Sequence, residues 1–189
     1  VQEIKKEADG EYVTHEEWVS LKPHLEERWK TFFTLLWETG IRCSEGLRVK
    51  RNDIINGNPP YVIVHREKRK KAKLNKTEKA PISVELFEEL QALTNNRRMR
   101  PFPHTRQAPW YALRRACNRA SINRGLHPQN FRHAFGRSLA RADLGLSAKE
   151  HKIRMAGIMG LRSVRSVDRY YNNETEQNFR AAAQFLEGR

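Results

Sequence analysis

Two cysteines in 189 residues, Cys43 and Cys117, are too few and too far apart for a disulfide framework. None of the seven histidines stands at zinc-ligand spacing from a cysteine, so a structural metal is not expected. No apolar run is long enough to cross a bilayer and none resembles the apolar segment of a signal peptide, which argues against a membrane protein. The remaining shortage is of acid. Asp and Glu total 22 against 36 Lys and Arg, leaving a net charge of +14. An excess of that size points to a polyanionic partner, nucleic acid before membrane, in a reducing compartment. The length suits one respectable core with a short arm rather than two independent domains.

The stretch with most to explain is Pro128-Gln129-Asn130-Phe131-Arg132-His133-Ala134-Phe135. Phe131, Phe135, Leu139 and Ala142 recur at helical spacing, with Ala134 and Ser138 on the same face, and this places Arg132 at the edge of a core. A buried guanidinium is costly unless a carboxylate or phosphate meets its planar fork. An internal ion pair is the plain alternative.

The rest of the chain supplies context for that arginine. Residues 1–13 are polar and read as a tether. Thr14-His15-Glu16-Glu17 is a capping box opening a helix that ends near Lys22-Pro23. Trp29, Phe32, Phe33, Leu36 and Trp37 form the stripe of a longer helix, stopped at Gly40. A new helix follows at once, with Arg42 at the junction and Glu45 three residues on, near enough to brace it. Asp53-Ile54-Ile55, Tyr61-Val62-Ile63-Val64 and Ala80-Pro81-Ile82-Ser83 read as three short strands. Between the last two runs a basic hairpin tip, with Arg66, Lys68, Arg69, Lys70, Lys71, Lys73 and Lys76. Such a run is ordinarily a solvated loop, but it also suits a phosphate backbone. Ser83 caps a helix carrying Leu86, Leu90 and Leu93. Pro109 opens another, with Trp110, Leu113, Cys117 and Ala120 expected inward and Arg114, Arg115 and Arg119 outward, a face that can lie along DNA. Ser147-Ala148-Lys149-Glu150 is a second capping box, and Gly160 ends its helix. Ser163 then caps a short helix in which an α-helical period puts Val164, Val167 and Tyr171 on one face and Tyr170 off it.

These stretches together resemble the catalytic domain of the tyrosine recombinases, the integrase family. Thr39-Gly40-Ile41-Arg42-Cys43-Ser44-Glu45 is similar to the family's Thr-Gly-x-Arg-x-x-Glu box, and Phe131-Arg132-His133-Ala134-Phe135 to its second box. The resemblance implies that Arg42 and Arg132 are the catalytic arginines, with Glu45 and His133 in support. Lys73, eight residues before Pro81, matches the interval of the catalytic lysine, with Lys68, Lys71 and Lys76 as rivals. Tyr170, nine residues after Leu161, matches the nucleophile. Two positions depart from the family: Gln129 stands where histidine or lysine is usual, and Leu161 where histidine or tryptophan is usual. A shift of one residue would instead pair Arg162 with Tyr171 as nucleophile; it ranks second because Tyr171 belongs to the expected apolar stripe.

The implied fold is α+β, mostly helical with a small three-stranded antiparallel sheet. Residues 14–172 would form the catalytic domain, 1–13 a tether, and 173–189 a tail with Phe179, Ala182, Ala183 and Leu186 on a stripe, able to dock in its own subunit or in trans. The implied activity is site-specific cutting and rejoining of double-stranded DNA through a 3′-phosphotyrosyl intermediate, without metal or cofactor, by a homotetramer on paired sites. Its location would be the cytoplasm in a prokaryotic or viral setting and the nucleus in a eukaryotic one. Two other readings stay open: a DNA-binding descendant with impaired chemistry, as Gln129 and Leu161 would allow, and a type IB topoisomerase.

Overall fold

The computed structural model describes residues 12–66, 77–94, 99–161 and 163–171. Among them are helices α1 (His15–Leu21), α2 (Glu27–Thr39), α3 (Cys43–Gly46), α4 (Val84–Thr94), α5 (Ala108–Arg119), α6 (Pro128–Arg141) and α7 (Ala148–Ile158), and one antiparallel sheet. Its strands are β1 (Ile54–Ile55), β2 (Tyr61–His65) and β3 (Thr77–Pro81), in the order β1-β2-β3. Short 3₁₀ helices occupy Lys22–His24, Arg51–Asp53 and Val164–Tyr170. The α+β reading, mostly helical with three antiparallel strands, is therefore correct. The chain divides into two compact units, Val1–Phe135 and Gly136–Arg189.

In the first unit the helix caps follow the sequence signals. The Thr14 side chain accepts the Glu17 N–H and the Glu17 carboxylate accepts the Thr14 N–H, closing the capping box of α1. α2 is the central helix, burying Trp29, Phe32, Phe33, Leu35 and Leu36. Phe131, from the first turn of α6, packs edge-on against Trp18 at 5.3 Å and tilted against Phe33 at 4.9 Å. Phe32 continues the aromatic chain to Phe102 at 5.0 Å. Burying each such side chain contributes about 1.5–3 kcal/mol, so this cluster anchors α1, α2 and α6. Ser83 caps α4, its Oγ accepting the Leu86 N–H and donating to Glu38, which ties the start of α4 to α2.

Three sequence expectations change here. The third strand runs over Thr77–Pro81 rather than 80–83, because Thr77, Glu78 and Lys79 pair with His65, Val64 and Ile63 and so extend the ladder into the basic run. Asp53 closes a 3₁₀ turn, its carboxylate accepting the Lys50 N–H, and does not belong to β1. On α5 the inward face is Ala112, Leu113, Ala116 and Cys117, whereas Trp110 is 50 % exposed and stacks on His127 at a ring distance of 5.4 Å.

In the second unit, Ser147 and Glu150 cap α7 reciprocally, as expected. The helix stops in a Schellman motif: the Leu161 N–H donates to the Ala156 carbonyl, the Gly160 N–H to that of Gly157, and Gly160 takes φ +57°. Lys152 of α7 pairs with Asp168 at 2.8 Å. Ser138, placed on the buried face by the helical pattern, is exposed, while Ala140 is buried.

Gly40 gives the sharpest test of the first unit. Its φ is +60°, and a Cβ there would lie 2.2 Å from the Phe135 ring. Backbone strain alone costs about 1–3 kcal/mol. Gly40→Ala is expected to lower the unfolding free energy by at least that amount in denaturant titration, and a change below about 0.5 kcal/mol would show the turn to be adaptable.

Candidate active site

Two arginines of the first unit meet at the turn between α2 and α3. α2 ends at Gly40 because its left-handed backbone redirects the chain, and buried Ile41 then fixes the next residue. Arg42 precedes α3 in extended conformation, with φ −71° and ψ 149°. Glu45, with no exposed side chain, turns back on it: Oε2 accepts the Arg42 N–H at 2.8 Å and Oε1 accepts Arg42 Nη1 at 2.9 Å. Burial pushes the Glu45 carboxyl up, but the Arg42 N–H and the charges of Arg66 and Arg42 outweigh that and hold it below the usual range. Glu45 therefore stays ionised beside Arg42.

Arg132 is only 2 % exposed, and its Nη1 donates to the Gly40 carbonyl at 2.6 Å. That carbonyl lies two residues before Arg42, so the second box is fixed to the backbone of the first. A carbonyl satisfies a guanidinium donor without cancelling its charge. The first turn of α6 is held by Asn130, buried, whose Oδ1 accepts the His127 N–H at 2.7 Å. Gln129 is exposed on that turn, and His133 is half-buried. Cys43, next to Arg42, is pushed up to about 11 by burial, so it is a thiol at neutral pH and no competing nucleophile.

The second unit holds Leu161 and the two tyrosines. Ser163 Oγ accepts the Arg165 N–H and starts the 3₁₀ helix. Here the α-helical reading is corrected. With three residues per turn, Val164, Val167 and Tyr170 align, and it is Tyr170 that is buried, at 7 % exposure, while Tyr171 is half-buried at the helix end. A Cβ on Gly136 would lie 2.5 Å from the Tyr170 ring, so the ring occupies the space that glycine leaves. Tyr171 faces the cation of Lys152, 5.2 Å from its ring centre, and His151. The stripe argument that ranked Tyr171 second does not hold, and sequence interval alone favours Tyr170.

Arg114, Arg115 and Arg119 project from α5 into solvent, Arg115 in an exposed pairing with Glu26 at 3.5 Å. Trp110 and Tyr111, 50 % and 61 % exposed, share that surface; sequence reasoning sent Trp110 inward because its spacing fits either face. Beside them lies a half-open groove of about 650 Å³ lined by Trp110, Tyr111, Arg114, Asn118 and Asn123, among others. Arg66, expected on DNA, turns inward and pairs with Glu45 and Glu78. Lys68, Arg69, Lys70, Lys71, Lys73, Lys76 and Arg162 lie outside the described residues.

A family model described as the phage integrase family matches residues 11–177. The chain belongs to that family. Its fold is similar to that of the XerH site-specific recombinase in a post-cleavage complex with palindromic difH substrate, with a TM-score of 0.71 at 19% identity over 94% of this chain and 54% of that one. The Tn1549 transposon integrase with circular intermediate DNA gives a TM-score of 0.61 at 19% identity, over 84% of this chain and 60% of that one. The lambda integrase catalytic core gives 0.56 at 16% identity, over 79% of this chain and 91% of that one. The chain thus spans about half the length of the XerH recombinase. No curated protein matches it. No helix among the described residues is long and apolar enough to cross a membrane.

Glu45→Gln removes the charge that holds Arg42 and Arg66 together and is expected to cost about 3 kcal/mol at pH 7. Because the folded carboxyl titrates below its ordinary value of 4.5, its contribution is present above that value and lost as pH falls through the folded one. Thermal melts of both proteins should therefore converge under acid, and a gap independent of pH would show that the charge is not what Glu45 supplies.

Proposed function

We propose that this chain is the catalytic portion of a site-specific DNA recombinase or integrase that cuts and rejoins strands through a 3′-phosphotyrosyl intermediate. The observation that carries the reading is the joining of the two family arginines: buried Arg132 is fastened to the Gly40 carbonyl, two residues from Arg42. Residues 14–172 would act as the catalytic domain, with 1–13 as tether and 173–189 as a docking tail. A lambda integrase tetramer is known on a Holliday junction, and a homotetramer on paired sites is the corresponding proposal here.

In the proposed step the Tyr170 oxygen attacks the scissile phosphorus in line, the bond from phosphorus to the 5′-oxygen breaks, and the phosphotyrosyl bond replaces it. Arg42 and Arg132 stabilise the charge that builds on the non-bridging oxygens without supplying a proton. The phenol, with an ordinary pKa of about 10, releases its proton to solvent. The departing 5′-oxygen takes a proton from Lys73. Rejoining reverses the sequence, with a 5′-hydroxyl as nucleophile. Gln129 can donate a hydrogen bond but exchange no proton, and Leu161 can do neither. Losing such a group costs about 10² to 10⁴ in rate, which describes a slow enzyme.

Those two residues and the burial of Tyr170 favour a second reading, a family member that binds DNA but has lost cleavage. A nicked suicide substrate separates them. Wild type should form a denaturation-resistant adduct that Tyr170→Phe abolishes; loss only with Tyr171→Phe would move the nucleophile by one, and no adduct with binding intact would favour the second reading.

DNA binding is proposed to use α5. Each phosphate contact adds roughly 0.9 to the salt slope of the affinity. Arg114→Ala, Arg115→Ala and Arg119→Ala are each expected to lower that slope by up to ~0.9 in titrations against duplex DNA. An unchanged slope in the triple variant would remove α5 from the interface.

A further inference from the structure

We propose that Arg66 is a positioning residue for Arg42, acting through Glu45 and itself held by Glu78; what Arg42 does rests on the recombinase reading above. Arg66 follows the last residue of β2, and its side chain is only 9 % exposed. Its Nη1 donates to Glu45 Oε2 at 2.8 Å, while Nε and Nη2 both donate to Glu78 Oε2, at 2.8 and 2.6 Å. Glu45 carries Arg42 on the same carboxylate, through the backbone N–H and Nη1. Four charged groups thus alternate in sign, Arg42, Glu45, Arg66, Glu78, and connect the β2–β3 ladder to the start of α3.

The alternation has a chemical purpose. Glu45 by itself would neutralise Arg42 and compete with a phosphate for its charge. Arg66, on the other side of that carboxylate, balances it, so Glu45 can orient Arg42 through one nitrogen and the main chain while the rest of a guanidinium that is 39 % exposed stays available to an anion. Glu78 in turn fixes Arg66 by a two-pronged hydrogen bond that a lysine cannot reproduce. An arginine buried in this way is not placed to touch a DNA backbone.

The test uses the full chain with Arg66→Met and Glu78→Gln combined, which removes one charge of each sign, and Arg66→Lys as the conservative variant. At saturating suicide substrate the adduct should form about 10²-fold more slowly in the double variant, the loss typical of a misplaced catalytic group. Its DNA affinity should stay within about twofold of wild type, and Arg66→Lys should recover part of the rate. An affinity loss with an unchanged rate at saturation would make Arg66 a DNA contact and overturn the proposal, as would a double variant that reacts at the wild-type rate. The Arg42 guanidinium is followed in parallel by ¹⁵N–¹H spectroscopy, where restricted rotation in wild type should average out in the double variant; an unchanged signal overturns the positioning role. If wild type forms no adduct, the recombinase reading fails while the spectroscopic result still decides this one. If the double variant does not fold, Arg66→Lys carries both measurements, and wild-type rate and signal in it would overturn the proposal.

Discussion

The turn at Gly40 is the constraint on which the rest of the first unit depends. One residue there does three things, the first two of which a side chain would oppose. Its left-handed backbone ends α2, its open Cα face admits the Phe135 ring, and its carbonyl receives the Arg132 guanidinium at 2.6 Å. The first use positions Arg42 at the head of α3. The second brings α6 against the end of α2, and the third aligns α6 so that its arginine points at the same turn. Packing and polar chemistry are thus set by the same few atoms. A buried charge is tolerated in proteins when its donors are satisfied, and a main-chain carbonyl does this while leaving an arginine cationic.

Much of this was legible in the sequence, and the parts that were not share a cause. Capping boxes at Thr14 and Ser147, the glycine stops at Gly40 and Gly160, and the bracing of Arg42 by Glu45 are all local, set by residues within a turn of each other. Arg66 was read as a DNA contact because it begins a basic run, and the partners that turn it inward lie 21 and 12 residues away. Trp110 was misplaced because α5 offers apolar residues on more than one side, and only burial of Ala112 and Ala116 shows which side is the core. The tyrosine segment failed for a different reason. Over eight residues the spacing of Val164, Val167, Tyr170 and Tyr171 does not separate a period of 3.0 from one of 3.6, and the choice exchanges the two tyrosines.

That exchange bears on how a nucleophile would be kept. Glycine in the middle of a helix costs roughly 1 kcal/mol relative to alanine, yet α6 carries Gly136 where the Tyr170 ring lies. The cost has a return, since any larger residue would push the ring away. A phenol packed on its own unit is protected from solvent and must leave that packing before it attacks anything.

Charge bears on the two proposed readings by where it is placed. The chain carries +14 overall, but the series Arg42, Glu45, Arg66, Glu78 alternates in sign. Excess positive charge acts at long range and is tolerant of position, and the exposed arginines of α5 are charge of that kind. Charge around Arg42 is instead fixed to within hydrogen-bond geometry, with Glu45 wholly and Arg66 largely out of solvent. A surface that only binds DNA has no need to bury a carboxylate in order to aim an arginine, because a solvated arginine reaches a phosphate unaided. Burying Glu45 and most of Arg66 to orient a part-exposed guanidinium is costly, and under the proposed recombinase reading that orientation is what a phosphorus undergoing in-line attack requires.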